Sequence, residues 1–265
     1  MRGGAKGRGE PLVLIHGLGG SRTIWEPVLP LLAGEREVLA LDMPGFGAEP
    51  PLPAAIEATA ANLALAVREK CIAAGLERPH VAGNSLGGWV ALELGRLGGA
   101  ASVTALSPAG LWRAPLGERP MPGRAWARRL RPLVALGLHL PPLRERACAT
   151  FTGHPERVPP RAGRGLVLGW IDAEGYEAAN RAMRRHVFDP SGYPEEVPVT
   201  IAWGELDELV APPERLPAGA RYLAMPGVGH TPTWDDPELV ARVLLEGSSR
   251  GAPAGPSREA DSAKR

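Results

Sequence analysis

The 265-residue chain has little of what usually marks special chemistry. It has two cysteines, Cys71 and Cys148, 77 residues apart in apolar or Ala-rich surroundings and without a Cys or His at metal-ligand spacing. That excludes a disulfide framework or a zinc motif and leaves two buried free thiols as the expectation. No window approaches the ~18 apolar residues of a membrane span. Met1 to Glu10 is Gly/Arg/Lys-rich with no apolar segment of the signal-peptide kind, so a cytoplasmic location is expected. Lysine is scarce too, at Lys6, Lys70 and Lys264 alone, and Phe, Tyr and Trp together make 5%. Net charge is almost nil: 30 Lys+Arg against 29 Asp+Glu give +1, no general reason to expect nucleic acid or a membrane surface as partner.

What is present is a globular composition, 44% hydrophobic and 22% charged, with 34 Gly and 29 Pro scattered without a short period. Intrinsic disorder and collagen-like repeats are thereby excluded, and many tight connections are implied. The near-zero charge hides an asymmetry. Between Arg113 and Asp189 stand 14 Arg, no Lys and 7 acidic residues, a net of +7 against −6 for the rest. A basic stretch of this kind could steer acidic substrates, or could be no more than arginines on solvated helix faces.

Strand and helix signals alternate. Leu12 to Ile15 is a short apolar run entering the Gly-rich turn His16 to Gly20, with Ser21 placed to cap a helix carrying Ile24, Val28 and Leu31/Leu32. Glu37 to Leu41, Pro79 to Gly83 and Ala101 to Leu106 read as further buried strands, separated by helices over Ala54 to Ala74 and Leu86 to Leu97. From about Arg113 to Pro194 the pattern becomes helical and irregular, with joints at Pro141-Pro142 and Pro159-Pro160. Alternation resumes with Val197 to Trp203, a helix or loop around Pro212 to Leu216, Tyr222 to Met225, and a helix over Pro237 to Leu245 capped by Asp235 or Asp236. The reading is an α/β fold: a mainly parallel central sheet of about six strands, helices on both faces and an inserted helical region. The expected divisions are a short arm over 1–10, a core over 11–112 and 195–246, an insert over 113–194 and a disordered tail over 247–265.

Gly83-Asn84-Ser85-Leu86-Gly87 lies where a strand meets a helix, the G-x-S-x-G arrangement that lifts a serine hydroxyl above a sheet on a strained turn. A serine hydroxyl is a poor nucleophile at neutral pH and needs a base, which in turn needs a group to fix its tautomer. His230, after the strand Tyr222 to Met225, is the candidate base. Asp207, after the strand Val197 to Trp203, is the candidate acid, with Glu205 and Glu208 as rivals. The backbone N–H groups of Leu18 and Leu86 are placed to hold an oxyanion. Gly17, Asn84, Trp112, Trp126 and Trp170 are candidate pocket residues, although ordinary packing serves equally for each tryptophan. His16 is expected to brace its loop and Asp42 to hold its turn.

On these motifs the chain resembles the α/β-hydrolase superfamily with a helical cap, from about Pro11 to Glu246. His16-Gly17-Leu18-Gly19 resembles that family's oxyanion loop, Asp42 to Gly47 its Asp-x-Pro-Gly-x-Gly turn, Ser85 its elbow, and Gly204 to Asp207 with Gly229-His230-Thr231-Pro232 its acid and base stations. Asp235-Asp236-Pro237 matches a Glu-x-Pro that commonly follows the histidine, with Asp in place of Glu. The resemblance implies hydrolysis of a small-molecule carboxylic ester of small or medium acyl length through an acyl-enzyme, with no task for a metal or organic cofactor. It says nothing of oligomeric state. A serine at position 85 argues against the carboxylate-nucleophile chemistry of haloalkane dehalogenases and epoxide hydrolases. Gly-Asn-Ser-Leu-Gly-Gly also resembles the elbow of carbon–carbon hydrolases of ring-fission products, though Thr231 stands where those carry an aromatic residue. Triad-bearing small-molecule receptors share the fold as well.

Overall fold

The computed structural model describes residues 4–5, 9–117 and 122–249. Its centre is a sheet ordered β1-β3-β2-β4-β5-β6-β7, built from β1 (Gly4–Ala5), β2 (Pro11–Ile15), β3 (Glu37–Leu41), β4 (His80–Asn84), β5 (Ser102–Leu106), β6 (Val199–Gly204) and β7 (Arg221–Met225). β2 to β7 are six parallel strands, as expected, and the two residues of β1 pair antiparallel with β3 at the edge. Parallel neighbours need crossovers. These are supplied by α1 (Leu29–Leu32), α2 (Ala60–Ala73) and α3 (Leu86–Arg96), while α9 (Pro237–Gly247) follows the last strand.

The two-residue period of β2 shows why the sheet must be covered on both sides. Val13 and Ile15 point into one core with α2 and α3, whereas Leu12 and Leu14 point into a second with Trp25, Leu32 and the α9 residues Val240 and Leu244. All four β2 side chains are at most 1% exposed, and each contributes roughly 1.5–3 kcal/mol relative to exposure. The chain runs from β2 outward to β3 and then returns to the other side of β2 to lay down β4. The strand order therefore reverses at the β2–β4 boundary, where crevices form beyond the carboxyl ends of parallel strands.

Several boundaries differ from the sequence reading. The single helix expected after Ser21 is a 3-10 turn over Arg22–Trp25 followed by the one-turn α1. Pro27 lies between them, lacking the N–H that a continuous helix would use. Ser21 Oγ pairs with Thr23 Oγ1 at 2.8 Å and makes no cap bond. α2 begins at Ala60, not Ala54, because Thr59 provides the cap: its Oγ1 accepts from the Asn62 N–H at 3.1 Å. The stretch Pro212 to Leu216 is loop, so β6 reaches β7 without a helix. Of the two candidate caps for α9, Asp236 is the one used, accepting from the Leu239 N–H at 2.8 Å. The tail expected to be disordered lies, from residue 250, outside the described residues.

Between β5 and β6 the insert forms α4 (Pro122–Arg129), α5 (Arg131–Gly137), α6 (Pro141–Cys148), a 3-10 turn over Pro155–Arg157, α7 (Pro160–Asp172) and α8 (Tyr176–Arg185). It has a small core of its own, Leu138, Cys148, Val158, Val167 and Ile171. Arg124, 4% exposed, closes the carboxyl end of α7: its guanidinium donates to the carbonyls of Trp170 at 2.8 Å and Ile171 at 3.1 Å, and to that of Ala173. Both cysteines are buried free thiols, as expected, and burial pushes Cys71 up to about 11.

Candidate active site

Ser85 follows β4 directly and occupies φ 56°, ψ −121°, a conformation that L-residues rarely adopt. Three backbone hydrogen bonds hold it there: its N–H donates to the Leu106 carbonyl at 2.9 Å, and its carbonyl accepts from the N–H groups of Trp89 at 3.1 Å and Ala109 at 3.0 Å. The flanking glycines are required by space. A Cβ on Gly83 would lie 2.1 Å from the Gly87 carbonyl oxygen, and one on Gly87 would lie 2.3 Å from that of His16. The turn after β2 also comes close, since a Cβ on Gly17 would sit 3.0 Å from Ser85 Cβ. Gly17, Leu18, Ser85 and Leu86 thus share the β2–β4 switch point.

His230, 4% exposed, lies beyond β7, and its Nδ1 pairs with Asp207 Oδ2 at 2.8 Å. Of the three acidic residues after β6, Asp207 meets the ring. Glu205 instead accepts from the Gly227 N–H at 3.1 Å, and Glu208 is exposed. The other Asp207 oxygen accepts from the N–H groups of Leu209 at 2.9 Å and Val210 at 3.0 Å. Burial alone would raise the Asp207 carboxyl, but the His230 ring and these two N–H groups outweigh it and hold the group below the usual carboxylate range. A carboxylate anchored in this way fixes the ring so that Nε2 is left to face a hydroxyl.

The segment around His230 is tied down from three sides. Asn84 Nδ2 donates to the His230 carbonyl at 2.7 Å and to the Leu106 carbonyl at 3.2 Å, while Thr231 Oγ1 donates to Asn84 Oδ1 at 3.5 Å. Asn84 is 1% exposed, so the pocket position expected for it is corrected: its amide is spent on pinning the histidine segment to the elbow and β5. From the insert, the Phe151 carbonyl accepts from the Thr231 N–H at 2.7 Å. Sequence reasoning missed the third restraint. Asp235, 2% exposed, accepts from the N–H groups of Gly153 at 2.9 Å, His154 at 2.8 Å and Gly229 at 2.8 Å, joining the insert to the residue before His230. Its place in the Asp235-Asp236-Pro237 motif was the available signal, which helix capping alone did not decode.

His16 and Asp42 have the bracing roles expected. His16 Nε2 accepts from the Met43 N–H at 3.0 Å, so Nδ1 carries the proton and donates to the Gly17 carbonyl at 2.8 Å. Burial lowers its pKa to about 4, which keeps the ring neutral. Asp42 accepts from the Arg22 N–H at 2.7 Å and the Ala48 N–H at 3.4 Å.

The three candidate tryptophans separate. Trp170 reaches the Gly17–Gly20 turn, since a Cβ on Gly19 would lie 2.7 Å from its Cδ1, and it packs edge-on against Tyr176. Trp112 packs edge-on against Trp89, and its Nε1 donates to the His186 carbonyl at 3.0 Å, which is a packing role. Trp126 is 65% exposed, so the pocket-lining position expected for it is replaced by a place on the surface of α4. Among the described residues no cluster of three or more His, Cys, Asp or Glu could hold a metal ion, and no helix is long and apolar enough to cross a membrane.

Residues 12–243 match the model of the alpha/beta hydrolase family. The chain belongs to that family. It is 32% identical over 190 residues to the epoxide hydrolase EphH of Mycobacterium tuberculosis, covering 64% of this chain and 86% of that protein. It is 30% identical over 244 residues to the dihydrolipoyllysine-residue acetyltransferase component of the acetoin cleaving system of Pseudomonas putida, covering 89% of this chain and 63% of that protein's length. Among solved structures, a thermophilic esterase from Thermogutta terrifontis superimposes with a TM-score of 0.67 at 25% identity, over 91% of this chain and 90% of that one.

Proposed function

We propose that this member of the alpha/beta hydrolase family is a serine hydrolase that cleaves a carboxylic ester of small or medium acyl length. The observation that carries the reading is the pairing of a strained, serine-bearing elbow with a His230–Asp207 couple whose segment is bonded to the elbow through Asn84. In the proposed reaction His230 Nε2 takes the Ser85 proton as Oγ attacks the ester carbonyl, and Asp207 stabilises the imidazolium. The Leu18 and Leu86 N–H groups hold the tetrahedral oxyanion. The imidazolium then protonates the departing alcohol, and water activated by His230 releases the acid from the acyl-enzyme. The core over 11–112 and 195–246 supplies these groups, and the insert over 113–194 acts as the cap, with Trp170 on the pocket side of the oxyanion turn.

The esterase likeness favours this chemistry. The epoxide hydrolase likeness does not displace it, because the nucleophile position here holds serine. Carbon–carbon hydrolysis loses the support it drew from the elbow, since Asn84 is engaged with the His230 and Leu106 carbonyls. The test is turnover of a short p-nitrophenyl ester. The native chain should cycle many times, and Ser85→Ala should lose at least about 10³-fold in kcat with an unchanged circular dichroism spectrum. A single slow turnover by the native chain would indicate a receptor, and full activity of the variant would remove Ser85 from the reaction.

A further inference from the structure

Several arginines of the basic insert are engaged within the fold. Arg124 serves the end of α7, Arg131 pairs with Asp172 at 2.7 Å, Arg157 donates to the Asp235 carbonyl at 2.7 Å, and Arg184 donates to that of Gly117 at 2.7 Å. Three others share one place. A cleft of about 710 Å³ between α5, α6 and α7 is lined by Arg144, Arg161 and Arg164 together with His139, Leu138 and Leu168. Arg144 is only 7% exposed, yet its buried Nε has no hydrogen-bond partner among the described residues, and the buried Nε of Arg164 is in the same state. The Arg144 stem is fixed in position: a Cβ on Gly163 would lie 3.0 Å from its Cδ. None of the lining residues is acidic.

The buried Arg144 guanidinium has no counter-charge among the cleft residues, which is costly, and the half-buried Arg164 and exposed Arg161 add positive charge to the same cleft, so a bound anion would be stabilised there. The first turns of α6 and α7 also line it, adding the positive ends of two helix dipoles. Three forked cations suit a dianion with several acceptor oxygens better than a single carboxylate, and Leu138 and Leu168 offer an apolar wall for what the anion is attached to. The size is that of a site for a drug-sized ligand.

We propose that this cleft binds the phosphate group of an organic phosphate monoester whose remaining part is apolar. It shares no lining residue with the Ser85, His230 and Asp207 positions. The last turn of α7 carries Trp170 against the oxyanion turn, so Arg164, six residues earlier, stands about 9 Å back along the helix axis from that contact.

The test is calorimetric titration of the full chain with octyl phosphate, inorganic phosphate and octanoate at constant ionic strength. Octyl phosphate should bind saturably, inorganic phosphate more weakly, and octanoate more weakly than octyl phosphate. Arg161→Gln and Arg164→Gln should each weaken octyl phosphate at least about tenfold, as expected for loss of a charge-assisted hydrogen bond. Both act on partly or fully exposed side chains, and the unliganded melting temperature and circular dichroism spectrum report their folding. Arg144→Gln should abolish binding. Absence of saturable binding to the native chain would overturn the proposal. So would unchanged affinity in a folded Arg161→Gln/Arg164→Gln double variant, or equal affinity for octanoate and octyl phosphate. The readout is binding rather than turnover, so its failure is separable from failure of the esterase reading.

Discussion

The amide of Asn84 donates a 2.7 Å hydrogen bond to the main-chain carbonyl of His230, across 146 residues of sequence. One side chain thereby couples the residue preceding the elbow serine to the segment carrying the proposed base. Asn84→Ala leaves two buried carbonyls without that donor and should cost roughly 2–4 kcal/mol of stability. Because the base is then less well placed, ester turnover should fall roughly 10–100-fold in kcat with little change in KM. Urea unfolding and steady-state kinetics on the same preparation check both, and a normal kcat would limit Asn84 to stability.

Asp207→Asn keeps the size of the side chain but can donate to Nδ1, favouring the tautomer that leaves the proton on Nε2. Turnover at pH 7 should fall by about 10³–10⁴-fold while the melting temperature changes little. Glu205→Gln, which touches only the Gly227 turn, should change kcat less than about twofold. A comparable loss in both variants would undo the assignment of the acid.

Asp235→Ala strands three N–H donors, two of them on the insert and one beside His230. The loss should be roughly 3–5 kcal/mol, read as a lower urea midpoint. Hydrogen exchange at Gly153, His154 and Gly229 should quicken before global unfolding in this variant. Uniform exchange across the chain would show that Asp235 is no local clamp.

His16 sets a direction for acid sensitivity. Its pKa is about 4 in the folded chain and near 6.5 when unfolded, so between those values the unfolded state binds the extra proton. Stability is therefore complete above about pH 6.5 and declines as pH falls towards 4, by up to roughly 3 kcal/mol from this group. Urea midpoints across pH 4–7 measure the slope, and the His16 ring should show no titration near 6.5 by NMR.

Much of the fold was legible because its signals are local. Leu12 to Ile15 is buried on both faces of a parallel sheet and so reads as an unbroken apolar run. Gly83 and Gly87 mark the elbow because no side chain fits there, a constraint written into adjacent residues. Where Pro27 divides the first helical segment and Thr59 delays the start of α2, a local signal was present but weaker than the apolar periodicity around it.

Sequence alone carried the succession of the six parallel strands and the serine-bearing turn between β4 and α3, since each depends on neighbours within a few residues. Packing of the whole chain settles that Asp207 rather than Glu205 or Glu208 meets His230, that Asn84 and Asp235 hold the histidine segment, and that the buried Arg144 Nε is left without a hydrogen-bond partner among the described residues. Those outcomes depend on hydrogen-bond partners up to 146 residues apart, whose distances are set by sheet order and packing rather than by any periodicity along the chain.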